Sequence, residues 1–223
     1  MVKNRKKIKI LAFFLLVSIF QISGCSSKPK TVIIFCAGDS LTNSLYPSFL
    51  KNKLISEGIR ARVYNFGQNG NNSGQYLRFL IRNKKWMKEK HPDFVLLQLG
   101  TNDVRMDSDF TPTHKFYLNM KKIISIFKKF KNRQGKNTKI LIATIPPLPR
   151  QIKFPFTEES RERIQIEINP TIRKIAIEEN LTLVDNYSLF IKNPDLLPDV
   201  HPNEKGYKAM AENWYSELKK LIK

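Results

Sequence analysis

Val32-Ile33-Ile34-Phe35-Cys36-Ala37 runs without a polar break into Gly38-Asp39-Ser40-Leu41-Thr42. A short apolar run that ends in a small-residue turn reads as a strand buried on both faces. Such strands occur in parallel sheets covered by helices, and ligands of open sheets bind outside the carboxyl ends of the strands. Ser40 is thereby delivered to a functional edge. A histidine stands near the far end of the chain, in Asp199-Val200-His201-Pro202-Asn203. An early Ser and a late His, with alternating strand and helix patterns between them, point to nucleophilic acyl transfer.

The alternation is regular. After the strand at 32–37, Tyr46, Phe49, Leu50 and Leu54 recur at helical spacing until Gly58. Further strands are expected at 62–65, 94–99, 139–145 and 181–184. Helices are expected at 75–90, 114–131, 158–180 and 203–222, the third interrupted near Pro170, which has no amide donor. The fold class is therefore α/β, a three-layer α/β/α sandwich around a five-stranded parallel sheet. A flavodoxin-like strand order, 2-1-3-4-5, suits it. Pro146-Pro147-Leu148-Pro149 through Pro155 excludes regular structure and should form a loop on the active rim, with a plain surface connection as the alternative.

Residues 1–24 stand apart. Lys3, Arg5, Lys6, Lys7 and Lys9 precede a mostly apolar stretch from Ile10 to Ile22, of signal-peptide length and short for a membrane span. Ser23-Gly24-Cys25 follows. The arrangement resembles a bacterial lipobox, which implies cleavage before Cys25, lipidation of its thiol and export. An uncleaved anchor is the alternative. Residues 25–30 then form the lipidated Cys and a polar tether, and 31–223 the catalytic domain. The protein is expected to be lipid-anchored to the cell membrane or the outer membrane. Cys36 is left as the one remaining thiol and is expected to pack as a small hydrophobe.

The chain carries a net charge of +20 over 223 residues. Removing the leader's five basic residues leaves +15, spread through helical stretches such as Lys84-Lys85 and Lys219-Lys220. Such a balance could favour anionic lipid, acidic polysaccharide or nucleic acid, but no zinc-finger or nucleic-acid motif accompanies it, so solvated helix faces account for most of it and no nucleic-acid partner is expected.

Four blocks fall at expected strand ends or loops: Gly38 to Thr42, Asn65 to Ser73, Gly100-Thr101-Asn102-Asp103, and Asp199 to Asn203. Together, in this order, they resemble the SGNH (GDSL) hydrolase family over residues 31–223. The resemblance implies that Ser40 is the nucleophile and His201 its base. It places the oxyanion donors at the Ser40 amide, the Gly70 amide and the Asn102 side chain. Gly70 fits the second block better than Gly67, which comes three residues too early. His91 and His114, the other two histidines, have no matching context.

The family sets its triad acid three residues before the His, and here that position is Pro198. Asp199 is one residue closer. Either Asp199 reaches the imidazole or a backbone carbonyl orients His201, an arrangement resembling the Ser-His dyads of some carbohydrate esterases of this clan. Asp185 and Asp195 are weaker substitutes. The implied activity is hydrolysis of carboxylic esters through a Ser40 acyl-enzyme, without metal or organic cofactor. An O-acetylated sugar, a short acyl ester or a lysolipid each fits, with the polar Gln68, Asn69, Asn71 and Asn72 favouring a sugar ester and Phe154 and Phe156 serving either. An acyltransferase and a non-catalytic binding lipoprotein are the rival readings.

Overall fold

The computed structural model describes residues 31–222. The expected signal peptide (1–24), Cys25 and the tether to residue 30 lie outside them. Five parallel strands form one sheet: β1 (Val32–Gly38), β2 (Ala61–Gly67), β3 (Phe94–Gln98), β4 (Lys139–Ala143) and β5 (Thr182–Val184). Their order is β2-β1-β3-β4-β5, as expected for the doubly wound arrangement.

Successive side chains of a strand point to opposite faces, so an unbroken apolar strand must be covered twice. In β1, Ile33, Phe35 and Ala37 enter one core cluster. Val32, Ile34 and Cys36 enter the other. The first core is covered by α2 (Ser73–Lys88), α3 (Thr113–Lys128) and α5 (Asn169–Glu178). The second is covered by α1 (Tyr46–Ser56), α6 (Asn186–Lys192) and α7 (Glu204–Leu218). Every core residue of α7 from Tyr207 to Leu218 follows the three-four spacing of an amphipathic face.

Besides shifts of a few residues at element ends, as in α3, β4 and α7, three details depart from the expected elements. β2 runs on to Gly67, because Phe66 and Gly67 still pair with Ala37 and Gly38. The stretch 158–180 is divided into α4 (Glu158–Arg163), a π-helical turn over Ile164–Ile168, and α5. Pro170 sits in the first turn of α5, directly after the π-helical turn, where a residue without an amide donor is tolerated. Helix α6 was not expected. It is seven residues long, and Asp185 starts it by accepting the Ser188 amide at 3.2 Å.

The carboxyl end of β1 is the tightest point of the scaffold. A Cβ at Gly38 would lie 2.3 Å from both the Gln98 carbonyl oxygen and the Thr42 hydroxyl. Those neighbours belong to β3 and to the turn that carries Ser40. Gly38→Ala should therefore destabilise the domain by about 1–3 kcal/mol, the usual cost of overpacking. That cost lowers Tm by about 2–4 °C for each kcal/mol. An unchanged Tm in differential scanning calorimetry would show that the strand end is not sterically locked.

Candidate active site

Asp39 makes the turn after β1. Its carboxylate accepts the Leu41 amide at 3.0 Å, and its carbonyl accepts the Thr42 and Asn43 amides at 3.2 and 2.9 Å. Asp39, Leu41 and Thr42 are buried, and Ser40 alone within the turn turns toward solvent. The Ser40 hydroxyl lies 2.8 Å from His201 Nε2, within hydrogen-bond distance. His201 comes from the loop ahead of α7. That loop is closed by Asn203, whose amide donates to the Leu196 carbonyl at 3.0 Å and whose side chain accepts the Gly206 amide at 2.9 Å. The contact thus joins residues 161 positions apart through two firmly tied turns.

The other expected site residues converge on the same place. Ser40, Gly70, Asn102, Asp199 and His201 all line one cleft of about 910 Å³. Gly70 has φ of 71°, a left-handed conformation that glycine adopts without strain. It follows a turn set up by Asn65, whose side chain accepts the Gly67 amide at 2.9 Å. Asn102 opens a 3₁₀ turn after β3 and donates one amide hydrogen to the Asn71 carbonyl at 3.1 Å. A carboxamide carries two donors, so a second remains for the cleft. The expected proline-rich connection supplies Gln151, Ile152, Lys153, Phe154, Pro155 and Phe156 to the opposite wall. Phe154 is 74% exposed there.

The candidate acids fall into a different pattern. Asp199 accepts the amide of its neighbour Val200 at 2.7 Å, and among the described residues it forms no hydrogen bond with His201. Asp185 is committed elsewhere, to the Thr144 hydroxyl at 2.9 Å, the Arg173 guanidinium at 2.8 Å and Ser188. Partial burial would raise its pKa, but those donors outweigh burial and hold it at about 2. Asp195 contributes its carbonyl to Asn203 at 2.9 Å. Among the described residues, the contact with Ser40 is the one hydrogen bond of the His201 ring. Neither a carboxylate nor a carbonyl of the described residues holds Nδ1.

Sequence reasoning missed a second layer beneath the site. Asp103 accepts the Ser73 amide at 2.9 Å and its hydroxyl at 2.6 Å, tying the second block to the third. Buried Arg163 donates to the Asp103 carbonyl at 3.0 Å and the Thr111 carbonyl at 2.8 Å, holding the Asn102 turn in place. Ser73 and Asp103 do stand inside the two motifs, which was the available signal. Arg163, at 4% exposure in a stretch rich in charge, gave none. No group of three or more His, Cys, Asp or Glu among the described residues is placed to hold a metal ion. Cys36 is buried, and burial pushes its thiol up to about 12.

Two buried carboxyls, Asp39 and Asp103, lie beside the turn that carries Ser40. Burial lifts Asp39 to about 7, partly offset by the Leu41 amide and reinforced by the charge of Asp103. Burial lifts Asp103 to about 6 against the opposing Ser73 donors and Arg163. The unfolded chain releases these protons near pH 4. The folded chain binds more protons between those values, so this contribution to stability is full at low pH and is lost as pH rises toward 7. Asp39→Asn keeps an acceptor for Leu41 and removes one titration. Its Tm should decline less between pH 4 and 7 than that of the parent, and parallel declines in a pH series of melts would refute this account.

The model of the GDSL-like Lipase/Acylhydrolase family matches residues 36–209. The chain is 28% identical over 144 residues to a multidomain esterase of Ruminococcus flavefaciens, covering 62% of this chain and 17% of that protein. It is 27% identical over 212 residues to an acetylxylan esterase of Xylanibacter ruminicola, covering 83% of this chain and 42% of that protein. The chain thus spans less than half the length of the curated relatives it matches. Its fold resembles a lipase/acylhydrolase from Enterococcus faecalis, with TM-score 0.70 and 24% identity over 86% of this chain and 97% of the other. The family match runs from inside β1 into α7 and takes in all four blocks, and the chain therefore belongs to the GDSL-like lipase/acylhydrolase family.

Proposed function

We propose that the protein is a serine esterase that removes acyl groups from an acetylated polysaccharide, acting through a Ser40 acyl-enzyme. The 2.8 Å contact between Ser40 and His201 carries this reading. His201 Nε2 takes the hydroxyl proton as Ser40 attacks the ester carbonyl. Negative charge develops on the former carbonyl oxygen, where the Ser40 amide, the Gly70 amide and the free hydrogen of Asn102 serve as donors. His201 then protonates the leaving alcohol and afterwards activates water to release the acid. The imidazole works as half of a dyad, because Asp199 is engaged with Val200.

The substrate side rests on the cleft. It is broad and lined by Asn43, Ser44, Asn69 and Gln151, side chains able to exchange hydrogen bonds with sugar hydroxyls. The relatives named above include an acetylxylan esterase. Phe154 offers a flat apolar face for the carbon side of a sugar ring. The leader and Cys25 place the enzyme, on this reading, outside the cell on a lipid anchor.

The open Nδ1 of His201 favours one rival, a binding protein that keeps the pocket without the chemistry. Labelling with a fluorophosphonate probe separates the two, since only an activated Ser40 reacts. Ser40→Ala should abolish labelling and reduce acetate release at least about a thousandfold, with the fold intact by circular dichroism. His201→Ala should match it. Asp199→Asn should cost about tenfold or less, against about ten-thousandfold for the amide replacement in a full triad. A loss at Asp199 equal to that at His201 would restore the triad, and an unlabelled parent enzyme would establish the binding protein.

Phe154→Ala should raise KM for acetylated xylo-oligosaccharides about fivefold, the equivalent of about 1 kcal/mol of apolar contact, and leave kcat unchanged. Turnover of 4-nitrophenyl acetate, which has no sugar, should stay the same. Equal effects on both substrates would remove Phe154 from sugar recognition.

A further inference from the structure

The connections of the sheet fall at two ends, and their charges differ in sign. The cleft-end connections, at 39–45, 68–72, 99–112, 144–157, 185 and 193–203, hold three cations (Arg105, Arg150 and Lys153) and seven carboxylates. The opposite end, at 57–60, 89–93, 129–138, 179–181 and 219–222, holds eight cations and four carboxylates. Three of those four are occupied. Glu57 pairs with Lys53 at 2.9 Å, and Glu179 pairs with Lys128 at 2.6 Å. Asp93 accepts the Ile33 amide at 2.9 Å.

The cations are concentrated in the connection between α3 and β4. Lys129, Lys131, Arg133 and Lys136 are all exposed, with no acidic residue from 129 to 138. None of the four forms an ion pair with a carboxylate of the described residues; Lys131 instead donates to the Asn137 side chain. Lys129 is the C-cap of α3 and stands within reach of its dipole, but Lys131, Arg133 and Lys136 lie past it, where the favourable effect of a cation has faded. Two large exposed apolar residues belong to the last turns of helices that finish at this end, Ile55 at 53% exposure in α1 and Trp86 at 48% in α2, the Trp86 ring lying edge-on to Phe66 of β2 at 5.6 Å. Lys90 lies 4.8 Å from the centre of the Trp86 ring.

The chain enters the domain at this end, where the Val32 amide donates to the Arg60 carbonyl at 2.8 Å. Cys25 is six residues before Thr31, and six extended residues span at most about 20 Å. We infer that the end of the sheet opposite the cleft is a docking surface for an anionic bilayer. Lys129, Lys131, Arg133 and Lys136 face the lipid headgroups, and Trp86 seats at the interface as its amphipathic ring favours. The inference rests on the lipid-anchor reading only for the tether; the surface itself is a property of the folded domain. The cleft then faces away from the membrane, at least the length of β1, about 20 Å, above it. That distance suits a polymer outside the cell and puts bilayer lipids out of reach.

Trp86 supplies the measurement, because the only other tryptophan, Trp214, is fully buried. The full chain is reconstituted into vesicles of phosphatidylcholine with or without abundant phosphatidylglycerol, each containing brominated lipid, and a Trp86→Phe variant identifies the Trp86 signal. Bromine should quench Trp86 in the anionic vesicles. Quenching should fall to the zwitterionic level in about 0.5 M salt, where charge attraction is screened. The combined variant Lys129→Gln, Lys131→Gln, Arg133→Gln and Lys136→Gln should lose the quenching, still float with both vesicle types and hydrolyse 4-nitrophenyl acetate at the parent rate. Quenching that ignores lipid charge, or survives in the combined variant, overturns the docking surface. So does a parent chain that shows no quenching but is retained by an acidic polysaccharide. Flotation only with anionic vesicles would instead overturn the lipid anchor and leave the docking surface supported.

Discussion

The site depends on one steric constraint, the contact of β1 with its surroundings at Gly38. β1 is paired on both sides, with β2 and β3, and buried on both faces. Its end therefore cannot shift without moving the sheet. At Gly38 the backbone passes so close to Gln98 and Thr42 that no side chain fits. The next residue must turn, and Asp39 holds that turn with its own carboxylate. Ser40 is fixed in space before any catalytic partner is considered. His201 needs only one correctly tied loop to meet it.

This rigidity has an electrostatic cost. Asp39 and Asp103 both lie in the interior beneath the cleft, and burial raises both. Asp103 is the better compensated of the two, with Ser73 donors on its carboxylate and Arg163 nearby. It links the second block to the third, so the Gly70 loop and the Asn102 turn move as one unit. On the proposed reading this tie supports the oxyanion donors, because an oxyanion hole acts only if its dipoles are already aimed when charge develops. The same carboxyl that orders the site also makes the fold sensitive to pH.

Much of this was legible in the sequence, for reasons that can be assigned. β1 announced itself because both faces are apolar, and the strand order followed from regular strand and helix alternation. Ser40, Gly70, Asn102 and His201 stand at the ends of elements, where motif spacing survives folding. What stayed hidden depends on distant partners. Arg163 looks like any surface cation until α4 turns it inward against Thr111. The π-helical turn before Pro170 changes the helical pitch over five residues, which spacing does not reveal. The position of Asp199 also needed the fold. One residue of register separates it from the family's acid position, and in the loop its carboxylate closes on Val200 instead of reaching toward the ring.

The cleft and the opposite end of the sheet answer to different demands on the same architecture. Helices of a parallel sheet begin at the cleft end, where amides need acceptors, and finish at the other, where carbonyls favour cations. Asp185 at the start of α6 and Lys128 at the end of α3 obey that rule. The rule alone produces a mild polarity in any doubly wound domain. Here the basic end goes further, because three exposed cations, Lys131, Arg133 and Lys136, lie in a connection past the C-cap of α3, and an exposed tryptophan stands in the last turn of α2. Charges placed where the fold does not need them must be explained by something outside the fold. A surface of opposite charge is the simplest such explanation, and turning the basic end toward it leaves the cleft open to a polymer on the other side.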